Sequence, residues 1–251
     1  MPGLPIDETA ARGFAGAVEA YERGRPPYPE PAVACLVEAL GARPGTTVVD
    51  LGAGTGKLTQ VLVPTGARIL ALEPIDEMRG VLEATLPGLE ALAGTGEAMP
   101  LDAGSVDAVA AAQAFHWFDG PRALAEIHRV LRPQGRLGLI WNWRDQSSET
   151  QARLSELIEP YRGPTPSYGS FRWREAFDGT ELFTALEVRH FPWVHKTTPE
   201  DVIDRFASVS FISTLPEDEK ARLFERIRAL FAGRERAELA YRTDVYWCER
   251  V

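Results

Sequence analysis

The hydrophobic pattern of this chain alternates between two periods as far as Trp141. Short aliphatic or β-branched runs at residues 46–51, 68–73, 89–93, 106–112 and 136–141 read as buried strands, most of them bounded by Gly or Pro. Helical spacing fills the intervals. One such pattern starts near Pro29 and Pro31, one follows Leu58, Val61 and Leu62 until Pro64, and one runs from near Pro121 to Arg132 before Gly135 turns the chain. Strands that alternate with helices in this way predict an α/β domain with a doubly wound, mostly parallel sheet. Beyond Trp141 the rhythm breaks. A strand-like run at 186–195 is followed by helical patterns at 199–208 and 216–231, and an apolar strand at 237–248 makes seven strands in all.

The first strand runs into Asp50 and then into glycines at alternate positions, Gly52, Gly54 and Gly56. A buried strand, a tight glycine turn and a helix form the first unit of a nucleotide-binding sheet. Dinucleotide sites use G-x-G-x-x-G with a pyrophosphate at the helix N-terminus. Here the spacing is G-x-G-x-G, and an acidic residue two positions before the first glycine suits a positively charged ligand better than a phosphate. Glu73 closes the second strand, where a carboxylate can hold a ribose diol. Pro74 and Met78 follow and could cover one face of an adenine, although Met78 also fits a core position.

These segments resemble the first motifs of class I S-adenosylmethionine-dependent methyltransferases, a fold with a Rossmann-like seven-stranded sheet. The resemblance implies S-adenosyl-L-methionine as cofactor, an antiparallel hairpin of the last two strands at one sheet edge, and a helical lid formed by insertions. It divides the chain into an N-terminal strap at 1–31, a cofactor-binding core at 32–144, and lid insertions with the C-terminal strands at 145–251. It places Asp50, Gly52, Ala53, Gly54, Gly56, Glu73, Pro74, Met78, Gln113 and Ala114 around the cofactor. The segment 94–100 resembles the family's adenine-edge loop, where an Asp usually stands at the position of Thr95. That departure leaves Gly96 and Glu97 as the adenine contacts. Arg25-Pro-Pro-Tyr-Pro29 and Phe115-His116-Trp117 are similar to a small-molecule branch, the methyltransferase type 11 or trans-aconitate methyltransferase-like family. By that resemblance Tyr21, Arg25 and Tyr28 close over the cofactor, with an arginine near its carboxylate.

The acceptor side is sought in the second half of the chain. Only Phe14, Tyr21 and Tyr28 among the aromatic residues precede Phe115. Trp117, Tyr168 and Trp173 are therefore candidates to line an organic pocket, joined by Tyr28 of the strap, and packing of a lid onto the sheet is the competing use of the same rings. His116, with an ordinary pKa of about 6.5, is the candidate catalytic group, either as general base or as a positioning residue for an acid; the second is favoured. Lid arginines Arg162, Arg172 and Arg174 could pair with an anionic acceptor or simply be solvated. The implied activity is methyl transfer to a small organic molecule, with a carboxylic acid or another O-acceptor preferred. A non-transfer reaction of the same fold, such as cyclisation, or a non-catalytic cofactor-binding subunit are the alternatives.

Composition narrows the partners. A net charge of −9 and a pI near 5.1 argue against nucleic acid and anionic membranes. The chain has no apolar run of ~18 residues and no export-type N-terminus, so a cytoplasmic location is expected. Cys35 and Cys248 lack metal spacing and the four histidines form no ligand cluster, so no metal is expected.

Overall fold

The computed structural model describes residues 24–163 and 165–251. Its seven strands form one sheet in the order β3-β2-β1-β4-β5-β7-β6. Helix α1 (Glu30–Leu40) precedes β1 (Thr47–Leu51), α2 (Lys57–Leu62) leads to β2 (Arg68–Leu72), α3 (Asp76–Thr85) leads to β3 (Glu90–Leu92), and a loop leads on to β4 (Val106–Ala112). Parallel pairing sets Asp50 opposite Ala71 on one side and Ala110 on the other. Both faces of these strands are covered, which is why they read as continuous apolar runs. Val49 and Val109 enter one core layer, while Val48 and Ala108 enter the layer under α1. The direction of winding reverses between β1 and β4. That reversal opens a crevice at their carboxyl ends, where ligands of open α/β sheets bind.

Helix α4 (Gly120–Val130) leads into β5 (Leu131–Arg144), which is longer than the 136–141 run predicts. Leu131 pairs with Val106 and Arg136 with Ala108, so residues 132–135 bulge out of the ladder around Pro133, which has no N–H to donate. At its other end β5 stays paired through Arg144↔Tyr241 with β7 (Ala237–Glu249). β7 also pairs antiparallel with the edge strand β6 (Glu187–Thr197). The polar tail of β5, Asn142 to Arg144, is therefore held over the crevice.

The remaining helices are α5 (Glu149–Ile158), α6 (Pro199–Ala207), the single turn α7 (Ser210–Ser213) and α8 (Glu217–Ala229). Leu154, Ile158, Val202, Phe206, Phe211, Leu223 and Ile227 build an apolar cluster of their own on Leu239 and Tyr241 of β7. These helices form a lid beside the carboxyl end of the sheet. A capping box between Thr198 and Asp201 starts α6. Among the described residues, no helix is long and apolar enough to cross a membrane.

Candidate active site

Gly52, Gly54 and Gly56 have φ of 71°, 59° and 92°, a region in which side chains are strained. A Cβ on Gly52 would stand 2.9 Å from the Cβ of Ala114, so the ends of β1 and β4 approach as closely as they do only because Gly52 is bare. Glu73 fixes the turn to β2. Its Oε2 accepts from the N–H of Gly54 at 2.8 Å and its Oε1 from that of Ile75 at 2.9 Å. Burial pushes the Glu73 carboxyl up, and the two backbone bonds and Arg79 oppose that shift.

Asp50 is wholly buried, and its Oδ2 accepts from Thr59 Oγ1 at 2.6 Å. Burial pushes it up to about 7, with the Thr59 bond opposing the shift and nearby Glu73 adding to it. Its Oδ1 is buried with no hydrogen-bond partner. An orphaned carboxylate oxygen beneath a bare glycine cradle fits a cationic, phosphate-free ligand. Gly96 and Glu97 form the tip of a tight loop closed by the Thr95–Ala98 bridge. A Cβ on Gly96 would meet the Phe118 ring at 2.8 Å, and Glu97 Oε1 accepts from the N–H of Asp119 at 2.8 Å. Gln113, at φ 56°, directs the chain after β4 into the crevice. The structure thus gathers Asp50, Gly52, Ala53, Gly54, Gly56, Glu73, Gly96, Gln113 and Ala114 at one end of the sheet. Pro74 follows Glu73 there, whereas Met78 is 3 % exposed and serves the core side of α3.

Beside the crevice, between β5 and the lid, lies a cavity of about 140 Å³. Four arginines line it: Arg25 from the N-terminal segment, Arg144 from the end of β5, Arg162 after α5, and Arg205 from α6. Arg25, expected over the cofactor, instead lines this cavity and donates to the carbonyl of Ser208 at 3.2 Å, and Arg162 pairs with Glu159 at 3.0 Å. Nη1 of Arg144 and Nε and Nη1 of Arg205 are buried with no hydrogen-bond partner. Burial, together with Arg205 and Arg162, pushes Arg144 down to about 10, so it stays charged at neutral pH. The described lining residues include no Asp, Glu or Lys. Buried guanidinium N–H groups without acceptors are costly, and an anion in the cavity relieves that cost.

His116 and Trp117 also line the cavity. His116 Nδ1 accepts from the indole N–H of Trp141 at 3.3 Å. Burial, with the charges of Arg25 and Arg162, pushes His116 down to about 3, so its ring is neutral. Tyr168 presents its ring to the cavity, while its hydroxyl donates to the buried Asp244 and lies 3.0 Å from Tyr246 Oη. Trp173 departs from the pocket expectation: it is 6 % exposed and packs among Trp141, Phe115 and Tyr246, because its large apolar area is better buried in the core. Tyr28 likewise packs on the core layer with α1 rather than lining the cavity. Of the three lid arginines expected, only Arg162 lines it, and Arg174 lies over the Tyr246 ring instead. Tyr21 lies outside the described residues. Sequence reasoning missed Arg144 and Arg205. A cation at the carboxyl end of a sheet strand is a readable signal for Arg144, but Arg205 sits in an ordinary amphipathic helix and gives none.

A methyltransferase-domain family model, type 11, matches residues 49–139. An uncharacterised methyltransferase of Mycobacterium tuberculosis is 45% identical over 219 residues, which cover 87% of this chain and 85% of that protein. A malonyl-[acyl-carrier protein] O-methyltransferase of Methylococcus capsulatus is 38% identical over 126 residues, 47% of this chain and 43% of that protein. The solved structure of geranyl diphosphate C-methyltransferase from Streptomyces coelicolor, in complex with S-adenosyl-L-homocysteine, shares the fold with a TM-score of 0.56 at 15% identity, over 100% of both chains. The chain belongs to the class I S-adenosylmethionine-dependent methyltransferases, in the type 11 family, and S-adenosyl-L-methionine is its cofactor.

Proposed function

We propose that the protein methylates an ionised oxygen of a small organic acid. The observation that carries this reading is the arginine-lined cavity, with three buried guanidinium nitrogens lacking partners and no carboxylate among its described lining residues. Charge-assisted, planar bonds from arginine are the usual means of holding a carboxylate. The O-methyltransferase relative, matched over 47% of this chain, lends support to oxygen as the acceptor atom. The buried free thiols Cys35 and Cys248 support a reducing, cytoplasmic setting.

S-adenosyl-L-methionine supplies, when bound, an already activated methyl group, so the chain's task is alignment and exclusion of water. Asp50, Gly52, Ala53, Gly54, Glu73, Gly96, Gln113 and Ala114 would hold it. Arg144 and Arg205 bind the acid, Arg162 and Arg25 complete the positive wall, and His116 and Trp117 orient the reacting end. The aromatic rings of Tyr168, Phe206 and Phe211 add apolar surface to the cavity lining. Incubation with the cofactor and a panel of small mono-, di- and tricarboxylic acids, with release of S-adenosylhomocysteine and methyl ester detected by mass, tests the reading. Turnover of amines or neutral phenols with none of the acids would overturn it.

A further inference from the structure

His116 is the cavity side chain whose chemistry decides whether the enzyme can take a proton from its acceptor. The described lining residues hold no Asp, Glu or Lys, and the Tyr168 hydroxyl is committed to Asp244. Trp141 controls what His116 can do. The indole N–H can only donate, and it stands 3.3 Å from His116 Nδ1. Nδ1 is therefore the acceptor, and the single proton of the neutral ring sits on Nε2. A ring in that form has no lone pair left with which to act as a base. Trp141 itself is immobilised: fully buried on β5, it stacks on Tyr168 at 4.8 Å and packs against Trp173 at 4.5 Å. The charges of Arg25 and Arg162 further oppose any second proton on the ring.

Resting on the acid-acceptor reading, we propose that Trp141 is a positioning residue that locks His116 as an Nε2–H hydrogen-bond donor, so that the cavity methylates only atoms that arrive ionised. A carboxylate oxygen then supplies the electron pair of the new C–O bond, the C–S bonding pair passes to sulfur, and no proton is transferred. Neutral alcohols and phenols are excluded for want of a base, not for want of space.

The test uses protein labelled with 15N in its four imidazole rings, loaded with S-adenosylhomocysteine, with the His116 signals assigned through His116→Asn. In the wild type, His116 should carry its proton on Nε2 alone and should not titrate between about pH 5.5 and 8.5, across the ordinary histidine range. Trp141→Phe keeps an aromatic ring and removes the donor. It should convert His116 to a mixture of both neutral forms, while His128, His190 and His195 keep their signals and report an intact fold. A wild-type His116 protonated on Nδ1, or titrating near its ordinary value, overturns the proposal, as does an unchanged ring in a folded Trp141→Phe protein. Should that variant fail to fold, the wild-type spectrum alone decides. The measurement needs no acceptor, so its failure is distinct from failure to find an acid substrate.

Discussion

Glu73 fixes the turn with one carboxylate and is proposed to bind the cofactor ribose with it as well. Both oxygens accept backbone N–H groups of the cofactor cradle, and each oxygen keeps a lone pair for a ribose hydroxyl. Glu73→Ala therefore leaves Gly54 and Ile75 with unpaired buried donors. We expect a loss of about 1–3 kcal/mol in unfolding free energy, alongside a roughly 10- to 150-fold weaker affinity for S-adenosylhomocysteine. Urea unfolding and calorimetry check the two effects separately, and a variant that loses affinity at full stability would confine Glu73 to the ligand. Asp50 gives a pH signature. Held up to about 7 by burial, it is mostly protonated below that value in the free protein. A cationic ligand nearby favours the ionised form, so binding releases a proton and affinity for S-adenosylmethionine should rise from about pH 5.5 to 7.5, then level off. Calorimetry in buffers of different ionisation enthalpy would register the released proton; a pH-independent affinity would show that Asp50 does not sense the ligand's charge. These acidic residues were legible in the sequence because a glycine turn after an apolar strand dictates where its neighbours sit. Arg144 carries the weaker signal of a cation at the carboxyl end of a strand, and Arg205 carries none, since no local pattern says whether a cation on an amphipathic helix meets water or a cavity.

At the scale of elements, the parallel half of the sheet follows from its apolar runs, and the edge pair β7 and β6 from the family resemblance. The length of β5 does not follow. Its 132–135 bulge breaks the period, and its polar end is extended only because β7 pairs with it. The lid was legible as helices at 199–208 and 216–231, whereas its placement depends on apolar contacts among residues distant in sequence. The segment before α1 shows how such placement builds the cavity. A Cβ on Gly24 would lie 2.1 Å from the backbone N of Arg205, and Asn142 Nδ2 donates to the carbonyls of Pro26 and Pro27 at 3.3 and 3.0 Å. Gly24→Ala should therefore push this segment off α6 and take Arg25 with it. Faster hydrogen exchange at the amides of Arg25 and Tyr28 and weaker binding of an acid acceptor, with S-adenosylhomocysteine affinity kept within about threefold, are the expected results. Unaltered exchange would mean that the backbone of α6 yields instead.

For the molecule as a whole, the charge is divided. The chain carries −9 overall, yet one cavity gathers four guanidinium groups. On the proposed function an acid acceptor is held chiefly by charge and the cofactor by a bare backbone cradle, so salt should separate them. Raising NaCl from about 0.05 to 0.5 M shortens the screening length several-fold. The acceptor KM should climb while the dissociation constant of S-adenosylhomocysteine, a net-neutral amino acid nucleoside, stays nearly level. Parallel changes in both would place the arginines outside acceptor binding.

The unpartnered nitrogens of Arg144 and Arg205 also bear on how a catalytic cycle ends. With an acid as acceptor, as proposed, esterification would erase one negative charge from the molecule those guanidiniums grip, and the reaction would loosen its own product. The methyl ester would leave a wall still fully positive, and the next ionised acid would outcompete it for the vacated place. On that reading electrostatics would favour release of the ester and entry of the next acid.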